Sequence, residues 1–288
     1  MTEQVETSTS KQTIAPEIPR GDWDILIILQ RHGRYDSGRP QDMQNITSEE
    51  RASLGRLTEV GRVEVAQRAR ERLNAILEQD PQNTDILVVN SPTYWLDVEE
   101  FGQRAVETAG IISGVISEEL SQRELNPDQF LNRSDRIKGE RGRHHEGLRE
   151  ADFFDFPEYT AFMREKYKGQ GPDFWIARNS DADQVAREGF GAPGPEDDAD
   201  QIDRVVAAEN RFARMYHSRP ENQGRRLVIW NVTHGDGLEP YTERRLGIGP
   251  EYFIAGYNDG VTIAIDNEGN AIARAKDKQF LVTVPSRY

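Results

Sequence analysis

The stretch ILIILQRHG, residues 25–33, decides the fold of this chain. Its apolar run is the length of a strand, and the polar residues Arg31, His32 and Gly33 follow where the strand gives way to a loop. Open α/β sheets build their ligand sites at the carboxyl ends of strands. The stretch therefore predicts an α/β sheet and also the edge at which its site lies.

Two further strand ends carry polar residues of related kinds. The run Leu227–Val232 is followed by Thr233-His234-Gly235, more than two hundred residues after the first stretch. The run Asp85–Asn90 is followed by Ser91-Pro92 and then, beyond residues 93–103, by Arg104. Three predicted strand ends thus supply two histidines and an arginine.

These residue types suit phosphoryl chemistry. The imidazole of His32 beside the permanent cation of Arg31 is a nitrogen nucleophile next to a group that can neutralise phosphoryl oxygens. Gly33 and Gly235 lack Cβ, so we expect them to let a small anion approach the backbone and to permit a positive φ. The simpler alternatives are hydrogen-bonded loop histidines and, for Arg104, a solvated arginine at a helix start.

Five motifs appear together and in a fixed order over about residues 23–265. They are Arg31-His32-Gly33, Leu57-Thr58-Glu59-Val60-Gly61, Ser91-Pro92, Arg104-Ala105-Val106-Glu107-Thr108-Ala109 and Thr233-His234-Gly235. With this set the chain resembles the histidine phosphatase superfamily, which includes the cofactor-dependent phosphoglycerate mutases. The resemblance implies an α/β three-layer sandwich with a mostly parallel central sheet, helices on both faces and an inserted cap-like segment.

The resemblance also implies a function and a set of roles. It implies a phosphomonoester hydrolase that forms a phosphohistidine on His32, with Arg31, Arg104 and His234 holding the phosphate and no metal or other cofactor. The family's proton donor follows a Leu-x-Glu pattern, which Leu148-Arg149-Glu150 fits. Asp152 is the nearest substitute for Glu150 as the acid, and Glu146 is a more distant one.

The chain departs from the family pattern at two places near the predicted site. Residues 93–103 separate Ser91-Pro92 from Arg104 and could reshape substrate entry or displace that arginine. The loop after Gly33 reads Arg34-Tyr35-Asp36-Ser37, from which Arg34 and Ser37 are candidates for substrate binding while Tyr35 could equally be packing.

Three functions remain compatible with these motifs. The segment after Glu150 lacks the Gly and Trp-Glu-Gly that accompany the acid in mutases, which favours a phosphatase over a mutase. A catalytically silent protein of this fold that binds a phosphorylated ligand is the third alternative. The substrate is expected to be a small phosphorylated molecule or a phosphoprotein, and the sequence does not determine the oligomeric state.

Bulk composition narrows the class of protein. A formal charge of −14 over 288 residues argues against a nucleic-acid binder, which would need a basic surface. No apolar run approaches the roughly 20 residues of a membrane span, and the polar N-terminus lacks the features of a secretory signal. There are no cysteines to form disulfides. We expect a cytoplasmic enzyme with no membrane partner.

The chain is expected to begin with a disordered tail, residues 1–20, followed by one α/β domain, residues 21–288, with an insertion at about 121–200. Helical spacing predicts a helix from Thr58 to about Gln79 whose apolar stripe includes Val60 and Val63, and helices at about 104–120 and 199–217. Composition predicts a loop over 189–198. Residues 261–265 and 271–275 predict a hairpin.

Overall fold

The computed structural model describes residues 18–35, 55–92, 104–132, 143–149, 155–169, 172–178, 180–249 and 255–284. Its strands are β1 (Ile25–Arg31), β2 (Thr84–Asn90), β3 (Arg143–His144), β4 (Arg226–Thr233), β5 (Gly260–Ile265), β6 (Ala271–Ala275) and β7 (Lys278–Val282). Its α-helices are α1 (Glu59–Leu77), α2 (Arg104–Gln122), α3 (Pro157–Lys166), α4 (Pro172–Arg178), α5 (Gln184–Gly189), α6 (Pro195–His217) and α7 (Gly235–Leu246).

The strands form one mixed sheet in the order β3-β2-β4-β1-β5-β6-β7. Its first four strands are parallel to one another, whereas β5, β6 and β7 join by antiparallel pairing. The prediction of a mostly parallel sheet is therefore not confirmed. The short connections after β5 and β6 impose antiparallel pairing of β5 with β6 and of β6 with β7, since a parallel crossover needs a dozen or more residues.

Strand β1 divides its side chains between the two faces of the sheet. Leu26 and Ile28 are buried in one apolar cluster with residues of α1 and α2, and Ile27 and Leu29 are buried in another with residues of α6 and α7. Alternate residues of a strand point to opposite faces, so a continuous apolar run is what a strand covered on both sides requires.

Helix α1 begins at the predicted cap, but its apolar stripe differs from the prediction. Thr58 Oγ1 accepts a hydrogen bond of 3.0 Å from the Gly61 amide. Val65 and Leu73 face the core, whereas Val60 and Val63 are 58% and 59% exposed. Their inclusion in the buried stripe was wrong, because the side of the first turn that carries Gly61 packs against the backbone of residue 34.

Helices α3, α4, α5 and α7 were not predicted, and the start of α6 was misplaced. Helix α6 starts at Pro195, inside the predicted loop over 189–198, where Asp197 accepts a hydrogen bond from the Gly194 amide and a proline occupies the first turn. Helix α7 directly follows His234 although it contains Gly237 and Pro240, which are poor helix formers. Strand β7 was also not predicted.

The N-terminal tail predicted over residues 1–20 lies mostly outside the described residues. Its division from the domain, and the insertion at about 121–200, stay predictions. Within that insertion, α3 and α4 share a small apolar cluster that includes Tyr159, Met163 and Phe174.

Gly61 offers a test of how tightly α1 packs. A Cβ at this position would lie 2.1 Å from the backbone oxygen of Arg34, which cannot move aside cheaply. We expect Gly61→Ala to lower the free energy of unfolding by about 1–3 kcal/mol in urea denaturation. The matched control is Gly110→Ala at an exposed position of α2, where a Cβ meets nothing within 4 Å. It should raise stability by about 0.5–1 kcal/mol, and equal effects of the two variants would contradict the packing.

Candidate active site

The register of the parallel strands brings the predicted site residues to one edge. Arg31 on β1 pairs with Thr233 on β4, and Val232 on β4 pairs with Asn90 on β2. The next amides continue the pattern, with His32 donating to the Thr233 carbonyl at 3.0 Å and Ser91 donating to the Val232 carbonyl at 2.8 Å. Residues far apart in the sequence therefore follow three adjacent strand ends.

The two predicted histidines face each other. Their ring centroids are 5.2 Å apart, and His32 and His234 are only 2% and 3% exposed. His234 Nε2 lies 3.0 Å from Ser91 Oγ. Ser91 belongs to a sequence motif but was not predicted as a site residue. This contact gives it a role in holding the His234 imidazole.

Hydrogen bonds define the tautomer of His32. Its Nδ1 is 2.8 Å from the Gly33 carbonyl oxygen, and its Nε2 is 2.9 Å from Nε of Arg104. A carbonyl can only accept and a guanidinium can only donate, so we assign the proton to Nδ1 and the lone pair to Nε2. The nitrogen that contacts Arg104 is therefore the nucleophilic one.

Arg104 reaches this site despite the residues that separate it from Ser91-Pro92. It is the first residue of α2, and Thr108 Oγ1 one turn later donates to the Arg104 carbonyl at 2.7 Å. The same Thr108 oxygen accepts a hydrogen bond of 3.0 Å from the Gly33 amide. Thr108 thus ties the start of α2 to the residue after His32, which sets the position of Arg104.

Arg31 lies beside the first residue of α7 and against the loop before β5. Its guanidinium donates to the Ala255 carbonyl, while Nε is buried and has no hydrogen-bond partner within the described part of the chain. A Cβ on Gly235 would lie 3.3 Å from that Nε. A larger residue at 235 would therefore crowd the guanidinium.

The glycines serve packing and not the conformation that was predicted for them. Neither Gly33 nor Gly235 has a positive φ. A Cβ on Gly33 would lie 2.4 Å from Val65 Cγ2, so this glycine lets α1 approach the loop after β1. The expectation of a positive φ was wrong, because the contact with Val65 favours glycine at position 33 and the approach of the Arg31 side chain favours it at position 235.

Electrostatics keep both imidazoles neutral. Burial, the cations Arg104 and Arg31, and the neighbouring His234 lower the pKa of His32 well below its usual value. Burial and the same two arginines lower the pKa of His234 in the same way. A neutral His32 retains the lone pair that a nucleophile needs, and the positive charge of the ligand-free site comes from the arginines.

Two tyrosines complete the described site. Tyr35 has its ring centroid 4.4 Å from Cζ of Arg104, and Tyr257 has its centroid 4.7 Å from Cζ of Arg31. Both rings also contact His32. Tyr35 was noted in the sequence as possible packing, whereas Tyr257 had no signal because no motif accompanies it.

Several predicted residues lie elsewhere or outside the described residues. Ser37, Glu150 and Asp152 are outside the described residues, as is the side chain of Glu146. Arg34 is exposed and forms an ion pair of 3.2 Å with Glu64 on α1, which places it at the rim of the site.

The chain just before Glu150 is attached to the same sheet edge. The His145 amide donates to the Asn90 carbonyl at 3.2 Å, and Thr233 Oγ1 donates to the Leu148 carbonyl at 2.9 Å. Leu148 is fully buried. These contacts join residues 145–148 to the ends of β2 and β4.

Within the described ranges, no three His, Asp or Glu side chains group as a metal site. None of the helices described is long and apolar enough to cross a bilayer.

No protein-family model and no curated protein sequence matches the chain. Among solved structures it is similar to a mutant phosphoserine phosphatase from Entamoeba histolytica in complex with phosphoserine, with 15% identity, a TM-score of 0.44, and 88% of this chain and 97% of that chain covered. It is similar to phosphoglycerate mutase from Bacillus anthracis, with 15% identity, a TM-score of 0.46 and coverage of 88% and 93%. It is also similar to a mycobacterial glucosyl-3-phosphoglycerate phosphatase, with 18% identity, a TM-score of 0.43 and coverage of 91% and 99%. All three are members of the histidine phosphatase superfamily, which the sequence motifs resemble.

The lowered pKa values of the two buried histidines predict a pH dependence of stability. Below the usual histidine pKa of about 6.5 the unfolded chain binds more protons than the folded protein, so stability falls as the pH decreases through this range. We expect the free energy of unfolding of the His32→Gln/His234→Gln variant to fall less steeply below pH 6.5 than that of the wild type in urea denaturation. Parallel curves for the two proteins would show that the imidazoles are not buried in the neutral form.

Proposed function

We propose that this chain is a histidine phosphatase, a phosphomonoester hydrolase that forms a phosphohistidine on His32. The observation that carries the proposal is the environment of Nε2 of His32. This atom accepts a hydrogen bond from the guanidinium of Arg104. The His32 ring lies beside His234, at the sheet edge where β1 ends with Arg31. A neutral nucleophile among fixed cations is the arrangement that in-line attack on phosphorus requires.

Substrate binding would release the nucleophile. Arg104 donates to His32 in the ligand-free site, and a phosphoryl oxygen is a stronger, charged acceptor for the same N–H. When the arginine turns to the phosphate, the lone pair on Nε2 becomes available. The Nε of Arg31 is a second donor, and the phosphate would also lie near the positive end of α7, which starts directly after His234.

The reaction proceeds in two steps, formation of the phosphohistidine and its hydrolysis. Nε2 of His32 bonds to phosphorus as the bond to the leaving alcohol breaks, and an acid delivers a proton to the departing oxygen. The Gly33 carbonyl, which accepts from Nδ1, stabilises the positive charge on the phosphorylated imidazole. Water deprotonated by the conjugate base then attacks phosphorus, which restores His32 and releases inorganic phosphate.

Glu150 is the proposed acid, with Asp152 and Glu146 as the alternatives. The support is the placement of Leu148, two residues before Glu150. The Leu148 carbonyl accepts a hydrogen bond from Thr233, the neighbour of His234. A carboxyl group beside a bound phosphate retains its proton more readily, which suits the protonation of an alkoxide.

The proposed enzyme acts on phosphate esters and uses arginines in place of a metal ion. The substrate would be a small phosphorylated molecule or a phosphoprotein in the cytoplasm. Arg31 and Arg104 supply the charge that a metal supplies in kinases, so we propose metal-independent hydrolysis. A mutase would isomerise a phosphorylated sugar acid, whereas the proposed phosphatase would release its phosphate.

The nucleophile is tested by incubating the protein with a panel of phosphomonoesters and measuring phosphate release. His32→Ala should lower the rate by at least about a thousandfold, because no other described side chain has the position of Nε2. Wild-type enzyme quenched during turnover with a labelled substrate should carry an acid-labile, base-stable phosphoryl group that His32→Ala lacks.

The control for this test is His217→Gln, because His217 lies at the end of α6, near Asp85 at the amino end of β2. This variant should keep wild-type activity. Phosphate release that survives in His32→Ala, or isomerisation without release, would overturn the assignment.

The acid is tested through the leaving group. An alkyl phosphate such as glycerol 3-phosphate needs a proton on its leaving oxygen, whereas p-nitrophenolate departs without one. We expect Glu150→Gln to lower kcat/KM, which reports formation of the phosphohistidine, by about 10²- to 10⁴-fold on the alkyl ester and by less than about tenfold on p-nitrophenyl phosphate. Asp152→Asn is the matched control, and the opposite ranking of the two variants would assign the acid to Asp152.

A further inference from the structure

We infer that Tyr35 and Tyr257 are positioning residues that fix the planes of the two guanidinium groups meant to hold the phosphate. This inference rests on the proposed function and deepens it. We call the two residues the tyrosine bracket. They belong to distant parts of the chain, one in the loop after β1 and the other in the loop before β5.

Each of the two arginines has its guanidinium carbon over a tyrosine ring. Cζ of Arg31 lies 4.7 Å from the centroid of Tyr257, and Cζ of Arg104 lies 4.4 Å from the centroid of Tyr35. Both distances are within the range in which a cation is attracted to the face of an aromatic ring. Cζ of Arg34 also lies over Tyr257, at the longer distance of 5.8 Å, so Arg31 is the nearer cation on that ring.

The two rings of the tyrosine bracket also contact each other. The centroids of Tyr35 and Tyr257 are 6.1 Å apart with the ring planes at 89°, which is the favourable edge-to-face arrangement. His32 lies 5.2 Å from Tyr35 and 6.1 Å from Tyr257. A shift of one ring would thus be felt by the other ring and by the imidazole.

An aromatic contact can hold a guanidinium in place without occupying its hydrogen-bond donors. A guanidinium presents its N–H donors at the edge of its plane, so a contact with its face restrains the plane and leaves the donors to a ligand. The Nε of Arg31 illustrates this, because it is buried against Gly235 with no hydrogen-bond partner among the described residues. Preoriented donors bind phosphate without the entropic cost of ordering a long side chain.

A buried polar network holds the loop that carries Tyr257. Asn258 has a φ of 64°, and its carbonyl accepts a hydrogen bond of 2.9 Å from Arg72 on α1. Arg72 also donates to Gln30, the residue before Arg31, and the Gln30 side chain lies 3.4 Å from that of Asn258. The ring of Tyr257 is therefore set relative to the strand that bears its arginine.

The experiment compares Tyr35→Leu and Tyr257→Leu with Tyr35→Phe and Tyr257→Phe. The phenylalanine variants keep the aromatic face and are the matched controls. Binding of inorganic phosphate and orthovanadate is measured by calorimetry, kcat and KM are measured with p-nitrophenyl phosphate, and thermal unfolding is measured for every variant. We expect each leucine variant to weaken anion binding and raise KM by about 2- to 30-fold, and each phenylalanine variant to remain within about twofold of the wild type.

Specific pairing is tested by double-variant cycles. Lysine keeps the charge of arginine but lacks the planar group that stacks. The loss from Tyr257→Leu should therefore shrink in an Arg31→Lys background and persist in an Arg104→Lys background, with the reverse pattern for Tyr35→Leu. A residue that acted only on overall stability would show the same loss in both backgrounds.

The outcomes separate this inference from the proposed function. If the wild type releases phosphate and the leucine variants bind anions as it does, or if phenylalanine is as harmful as leucine, the bracket is overturned and the phosphatase stands. If the wild type neither hydrolyses phosphomonoesters nor binds phosphate, the proposed function fails and the bracket with it. Should a leucine variant not fold, Tyr→Met, which fills similar space without an aromatic face, replaces it and is judged by the same results.

Discussion

The parallel pairing of β1 with β4, and of β4 with β2, is the constraint on which the rest of the site depends. Parallel strands end on the same side of a sheet, so the residues that follow them share one edge whatever their separation in the chain. The in-step pairing of Arg31 with Thr233 places His32 and His234 at equal heights. A slip of one residue would send one imidazole to the opposite face and separate the two rings.

Much of the motif set serves to hold this edge together. Thr108 links α2 to the Gly33 amide, and Thr58 and Gly61 allow α1 to contact the backbone at Arg34. Their hydrogen bonds and close contacts are made to the loop that carries the nucleophile, and they set its path. The motifs that carry the chemistry of this chain therefore also include residues whose contribution is close packing.

Charge in this protein is arranged locally. The chain as a whole carries −14, but the space around His32 faces the guanidinium groups of Arg31 and Arg104. Burial and these cations keep both imidazoles neutral, and the same cations attract an anion. An acidic surface and an anion-binding site are compatible because screening by water and salt separates the two.

The sequence by itself determined the α/β class, the strand ends that carry His32 and His234, the cap of α1 and the hairpin of β5 with β6, because each depends on local periodicity or on neighbouring residues. It did not determine helix α7 or strand β7, since glycine, proline and weak alternation hide elements that tertiary packing stabilises. Only the tertiary structure decided that Arg104 meets Nε2 of His32 across residues 93–103, and that Tyr257 lies on Arg31. Contacts between distant segments depend on how helices and loops pack on the sheet, and no local pattern in the chain encodes that packing.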